Sequence, residues 1–140
     1  MQTFVPYGAD FEANAGALDM KRLGKQRVEG LQILNTLTGR SNGWKNHPAV
    51  KMWLGHTAAL GQYTLEICNR WINLGYKDTC KEKVLTIIED IDDMVILPGW
   101  LNDREVAVSH RSNLIRKFPE HYGLIWPDVP ADLPYKWPVQ

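Results

Sequence analysis

Arg22, Lys25, Glu29 and Gln32 recur at intervals of three, four and three residues, the spacing that aligns side chains along one face of an α-helix. A carboxylate set among cations on such a stripe can give or take a proton beside a bound anion, so Glu29 is the candidate acid/base. Lys21 adds a further cation, and residues 21–27 hold four basic residues with no acid among them. The same spacing also describes a solvated helix face, on which Lys25 and Glu29 would form a surface pair worth about 0.3–0.5 kcal/mol. Arg27 lies off the stripe, where a structural role suits it. A second basic group runs from Ser109 to Lys117. Its His110, Arg111, Asn113 and Lys117 are donors suited to phosphate oxygens, and His110, Asn113 and Lys117 share a helical face. Either group alone reads equally as a polar surface; two basic helices together could clamp a phosphate-bearing ligand from two sides.

Other residues add less. His47 stands in Lys45-Asn46-His47-Pro48 at a helix start, where free backbone N–H groups favour anions, although capping or packing would equally explain it. His56 falls on an apolar helix face and reads as a core histidine. The four histidines show no HxxxH or HExxH spacing, and the two cysteines, Cys68 and Cys80, form no CxxC, so neither a metal site nor a disulfide framework is expected. Walker, GxGxxG and GxSxG motifs are missing, which leaves those nucleotide-binding and hydrolase classes without support and implies no cofactor. Of the six tryptophans, Trp53 and Trp71 read as core. Trp44, Trp100, Trp126 and Trp137 fall in loops, where they could stack on bases.

The elements that must position these residues are helices. Asp19 is placed to cap a helix running to about Thr38, with Gly39 as its stop. Pro48 opens a second, in which apolar residues from Ala49 to Leu74 recur at spacings of three and four; Gly55 and Gly61 leave room for a break. A third helix is predicted over 80–90, and a fourth from Asn102 or Asp103 to Lys117, ended by Pro119. Met94-Val95-Ile96-Leu97 reads as an extended buried segment. The tail from Gly123 carries four prolines that forbid regular structure, with aromatics that should pack back on the helices. The expected fold is all-α: a compact single-domain helical bundle spanning residues 1–140, with an aromatic, proline-rich tail packed on it.

Sixteen basic and sixteen acidic residues cancel, so net charge identifies no partner. Segregation does more, because the acids gather at Glu89, Asp90, Asp92 and Asp93, away from both basic groups. The start of the chain has no secretory pattern and no apolar run reaches membrane-spanning length. Together with the sparse cysteines, this predicts a soluble cytoplasmic protein without a membrane partner.

The run from Leu18 to Glu29, Asn46-His47-Pro48 with Trp53, and Ser109 to Lys117 followed by Pro119 and Tyr122-Gly123 resemble, in this order, the endonuclease V-like family of pyrimidine-dimer DNA glycosylases of phages and bacteria. The resemblance implies an all-helical, cofactor-free DNA-binding fold that flips a base and cleaves its glycosidic bond. In that family a chain-terminal amine attacks through a Schiff base, assisted by a glutamate on the first long helix. An α-amine, unlike a lysine, is partly neutral at physiological pH. Here the available amine is that of Met1, because a residue as large as Gln2 usually prevents removal of the methionine. The family's Arg-Glu-Leu-Pro-Arg run aligns with Lys21-Arg22-Leu23-Gly24-Lys25, which puts Arg22 at the glutamate's position and leaves Glu29 as the acid on that helix. The implied site is therefore Met1 and Glu29 for catalysis, with Lys21, Arg22, Lys25, His47, His110, Arg111, Asn113 and Lys117 toward phosphates. The substrate is DNA with a damaged or modified pyrimidine. The alternative is a divergent or non-catalytic binder of DNA or of a phosphorylated nucleotide on the same scaffold.

Overall fold

Local signals explain most of the helix boundaries in the computed structural model, which describes residues 1–139. Asp10 accepts a hydrogen bond from the Ala13 amide (3.1 Å) and so opens α1, Phe11–Ala17. The longest helix, α2, covers Met20–Leu37 and buries Leu23, Gln26, Gly30, Ile33 and Leu34, one stripe at helical spacing. It ends where Gly39 takes the left-handed conformation (φ +80°). Pro48 opens α3, Pro48–Lys51, and Asp103 caps α6, Arg104–Lys117, by accepting from the Glu105 amide. Between them lie α4, Thr57–Asn73, and α5, Cys80–Ile91; α7, Pro119–Ile125, follows α6 after one residue. A 3-10 turn over Gly99–Asn102 precedes α6, and no strand occurs among the described residues. The fold is all-helical and compact, as the sequence predicts.

The centre of the bundle is the crossing of α2 and α4, with α1 and α5 packed on α4. Gly24 and Gly30 make the crossing close. A Cβ on Gly30 would stand 2.5 Å from Thr64 Oγ1, and one on Gly24 would stand 2.9 Å from the Trp71 ring. Each glycine costs the helix about 1 kcal/mol of propensity, which the closer packing offsets. Trp53, Tyr63 and Tyr122 are fully buried in the core around this crossing.

Four details differ from the sequence reading, which placed no helix where α1 lies. The helix expected from Pro48 to Leu74 is two helices, broken where Gly55 turns left-handed (φ +84°). Met94-Val95-Ile96-Leu97 is extended but exposed, with Met94 82% accessible. It is tethered by its backbone, Ile96 O lying 2.8 Å from His56 Nδ1, so His56 is a half-buried anchor of that strand-like segment rather than a core residue. Pro119 ends α6 and also starts α7, because a proline at the first helical position lacks only an N–H that would be unpaired there. The tail does pack back: Trp126 is buried, and Tyr135 and Trp137 lie against the core. No helix among the described residues is long and apolar enough to cross a membrane.

Candidate active site

The first five residues have no secondary structure and Pro6 begins a turn, yet Thr3, Phe4, Val5 and Pro6 are buried. Their backbone groups must therefore find partners elsewhere, and side chains supply them. Gln26, buried on α2, works with both ends of its amide: Oε1 accepts from the Phe4 N–H (3.0 Å) and Nε2 donates to the Gln2 carbonyl (2.8 Å). Tyr63 on α4 donates to the Phe4 carbonyl (2.7 Å) and Tyr135 of the tail to the Thr3 carbonyl (2.5 Å). The Val5 N–H donates to His110 Nδ1 (3.1 Å), and Arg111 Nε donates to the Pro6 carbonyl (2.8 Å). Trp53 Nε1 reaches the Thr3 hydroxyl at 3.1 Å. Five elements thus hold the start of the chain in one path.

That path ends at Glu29. The Gln2 backbone N–H donates to Glu29 Oε2 at 3.0 Å, and Lys25 Nζ lies 3.6 Å from Oε1. The Glu29 side chain is 12% accessible, whereas Lys25 is 73% accessible, so the carboxylate is shielded while its cation faces solvent. Beside it opens a cleft of about 190 Å³. Lys21, Arg22, Lys25 and Lys117 supply four cations to the lining, Glu29 the one carboxylate, and Gln2, Phe4 and Gln26 the remainder. Both basic groups of the sequence contribute, α2 with three residues and α6 with its last.

The cations interact. Arg22 pairs with Asp19 (3.3 Å) and donates to the Lys117 carbonyl at the end of α6 (3.4 Å). Burial lowers the Lys117 pKa, and the charges of Arg22 and Lys25 lower it further, with Glu29 opposing. Like charges are held together in a cleft that a phosphate would neutralise. His47 faces the same chain end. Burial lowers its pKa first and the α-amine of Met1 lowers it further, while Glu29 raises it. Its Nδ1 accepts from the Ala49 N–H at 3.0 Å, capping α3 and leaving the proton of the neutral ring on Nε2.

Not every residue of the second basic group reaches the cleft. His110 is fully buried, and desolvation pushes its pKa down to about 3. A neutral imidazole in the core cannot hold a solvent-borne phosphate, so the phosphate role expected for His110 gives way to anchoring Val5. Arg111 is committed likewise, with its guanidinium over Tyr7 and Trp126. Asn113 Oδ1 meets the Gln2 amide Nε2 at 3.4 Å, beside the cleft. Arg27 pairs with the buried Asp78 and lies over Trp71 (4.3 Å), a structural place as expected. The sequence reading missed Gln26, Tyr63 and Tyr135. A buried glutamine in the stripe Leu23–Gln26–Gly30–Ile33 was the one available sign. Among the described residues no group of three or more His, Cys, Asp or Glu side chains could hold a metal ion.

The helical scaffold thus turns a fixed chain start, one shielded carboxylate and four cations onto a single cleft. The family model described as pyrimidine dimer DNA glycosylase matches residues 1–84, and the chain belongs to that family. The match contains the chain start, all of α2 and His47, and it ends before Lys117. No curated protein and no solved structure matches the chain.

Proposed function

We propose that the protein binds damaged DNA and excises a modified pyrimidine, with the α-amine of Met1 as nucleophile and Glu29 as acid/base. The amine nitrogen attacks C1′ of the damaged nucleotide, and the glycosidic bond breaks with its electron pair leaving on the base. Glu29 takes a proton from the attacking amine and passes it to the ring oxygen as the C1′–O4′ bond breaks, which leaves a protonated imine between the amine nitrogen and C1′. Lys21, Arg22, Lys25 and Lys117 hold the phosphates on either side, with Asn113 and His47 bordering them. The observation that carries this reading is the 3.0 Å hydrogen bond from the Gln2 backbone to Glu29, which fixes the chain start against the carboxylate of the cationic cleft. Family membership supports the substrate class.

Excision from dimer-containing duplex DNA, compared with undamaged duplex, tests it. Glu29→Gln keeps the shape and an acceptor oxygen, so it should lower excision about 10²- to 10⁴-fold while DNA affinity stays within a few-fold. Unchanged excision by that variant would remove Glu29 from the chemistry. Salt-sensitive binding by the wild-type protein without any excision would instead make it a binder on this scaffold.

A further inference from the structure

We propose that Trp44, backed by His47, is a stacking surface for a base displaced from the duplex during excision; this deepens the function proposed above and rests on it. Trp44 is 56% accessible in the loop between α2 and α3. Its backbone is left-handed (φ +64°), an unfavourable conformation for a bulky residue. The loop is nevertheless fixed. Thr36 Oγ1 donates to the Gly43 carbonyl at 2.6 Å, the Gly43 N–H donates to Ser41 Oγ at 3.0 Å, and the His47 N–H donates to the Trp44 carbonyl at 2.8 Å. An exposed indole is thus presented on a secured loop rather than folded inward.

Its neighbours connect it to the chain start. Trp44 meets His47 edge-to-face at 5.7 Å, and His47 meets Trp137 in the same way at 5.6 Å. Trp137 rests on Tyr135 (4.4 Å), the residue that holds the Thr3 carbonyl. His47 also feels the charges of both the Met1 amine and Glu29. The aromatic row therefore runs from beside the reacting groups out to a largely exposed indole. Charge selects the occupant. Residues 40–51 contain Arg40, Lys45, Lys51 and no acid; Arg40 is paired with Asp90, while Lys45 and Lys51 enter no ion pair among the described residues. A largely exposed indole on a basic, acid-free stretch of chain matches a nucleobase with its phosphates better than an apolar protein segment. Trp100 and Trp126 are not available for this, being packed on Trp53 and Tyr122.

The test compares two duplexes, one carrying a pyrimidine dimer and one carrying an abasic site, in the presence of borohydride. Loss of one stacked base corresponds to a change of about 5- to 150-fold. Trp44→Ala should lower excision from the dimer duplex by that factor while trapping at the abasic site stays within about two-fold. Trp44→Phe, which retains a ring, should recover most of the loss. A 2-aminopurine placed beside the dimer should be quenched on binding wild type and bright on binding Trp44→Ala. Equal activity of wild type and Trp44→Ala on the dimer duplex, or equal losses on both duplexes, would overturn the proposal. If wild type neither excises nor traps, the proposed chemistry fails, and the 2-aminopurine signal still decides whether Trp44 stacks on a base.

Discussion

Neutralising Lys117 should stabilise the protein and weaken its grip on DNA. Its pKa is lowered by partial desolvation of the amine and by the charges of Arg22 and Lys25. A lysine whose pKa falls on folding is kept charged at a cost, and that cost is present at every pH where the folded amine is charged. Lys117 is exposed at the end of α6, so solvent screening leaves on the order of 0.5 kcal/mol. Lys117→Met keeps the aliphatic stem and removes the charge, and its melting temperature should rise by about 1–3 °C. Binding should move the other way. Four cations line the cleft, and if each neutralises one phosphate the logarithm of affinity falls against that of salt with a slope of about −3.6. From 50 to 200 mM salt that is about a 150-fold loss, against about 40-fold for a slope near −2.7 in Lys117→Met. Fluorescence anisotropy with a labelled dimer-containing duplex at several salt concentrations measures both slopes. An unchanged slope would take Lys117 off the phosphates, and a lowered melting temperature would show that like-charge crowding does not dominate there.

Acid should unfold the protein earlier than its carboxylates require. His110 has its pKa pushed down to about 3 in the fold, whereas an unfolded histidine takes its proton near pH 6.5. The unfolded state then binds more protons as pH falls below about 6.5, and stability should drop by about 2 kcal/mol between pH 7 and pH 5. His47, also lowered, acts in the same direction. An imidazole NMR titration showing His110 protonated near pH 6.5 in the folded protein would contradict this. Gln26→Leu keeps the bulk but removes both clamps on residues 2 and 4. Stability should fall by about 1–3 kcal/mol, and excision should fall well beyond binding, measured by duplex cleavage and anisotropy side by side. Equal losses in the two assays would mean that the clamp does not position the chain start.

The cleft was legible where local spacing governs. Lys21, Arg22, Lys25 and Glu29 share a helix, so sequence offsets alone put them together, and Gly39 and Asp103 marked helix ends through their own chemistry. Asp19 instead stands at the start of α2 with its carboxylate on Arg22 and Tyr122 rather than on a capping N–H. The sequence reading placed no helix over residues 11–17, where Asp10 caps α1. What could not be read was long-range. His110 and Arg111 carry the same side chains whether they face a phosphate or the backbone of residues 5 and 6, and only the fold brings partners 105 positions apart together. Met94 to Leu97 misled because apolar character alone does not specify burial, and those four residues remain exposed. Packing of the middle of α6 against residues 5 and 6 thus decided the second basic group: His110 and Arg111 secure the chain start, and Lys117 alone of its four candidate residues lines the cleft.

The site of covalent attachment to DNA bears most directly on the amine chemistry. Protein trapped by borohydride on dimer-containing duplex, digested with nuclease and trypsin, should carry its adduct on the peptide of residues 1–21. Fragment ions should place the added mass on the terminal α-amine. Attachment through the side chain of Lys21, Lys25 or Lys117, or efficient excision with no trapped product, would contradict the account.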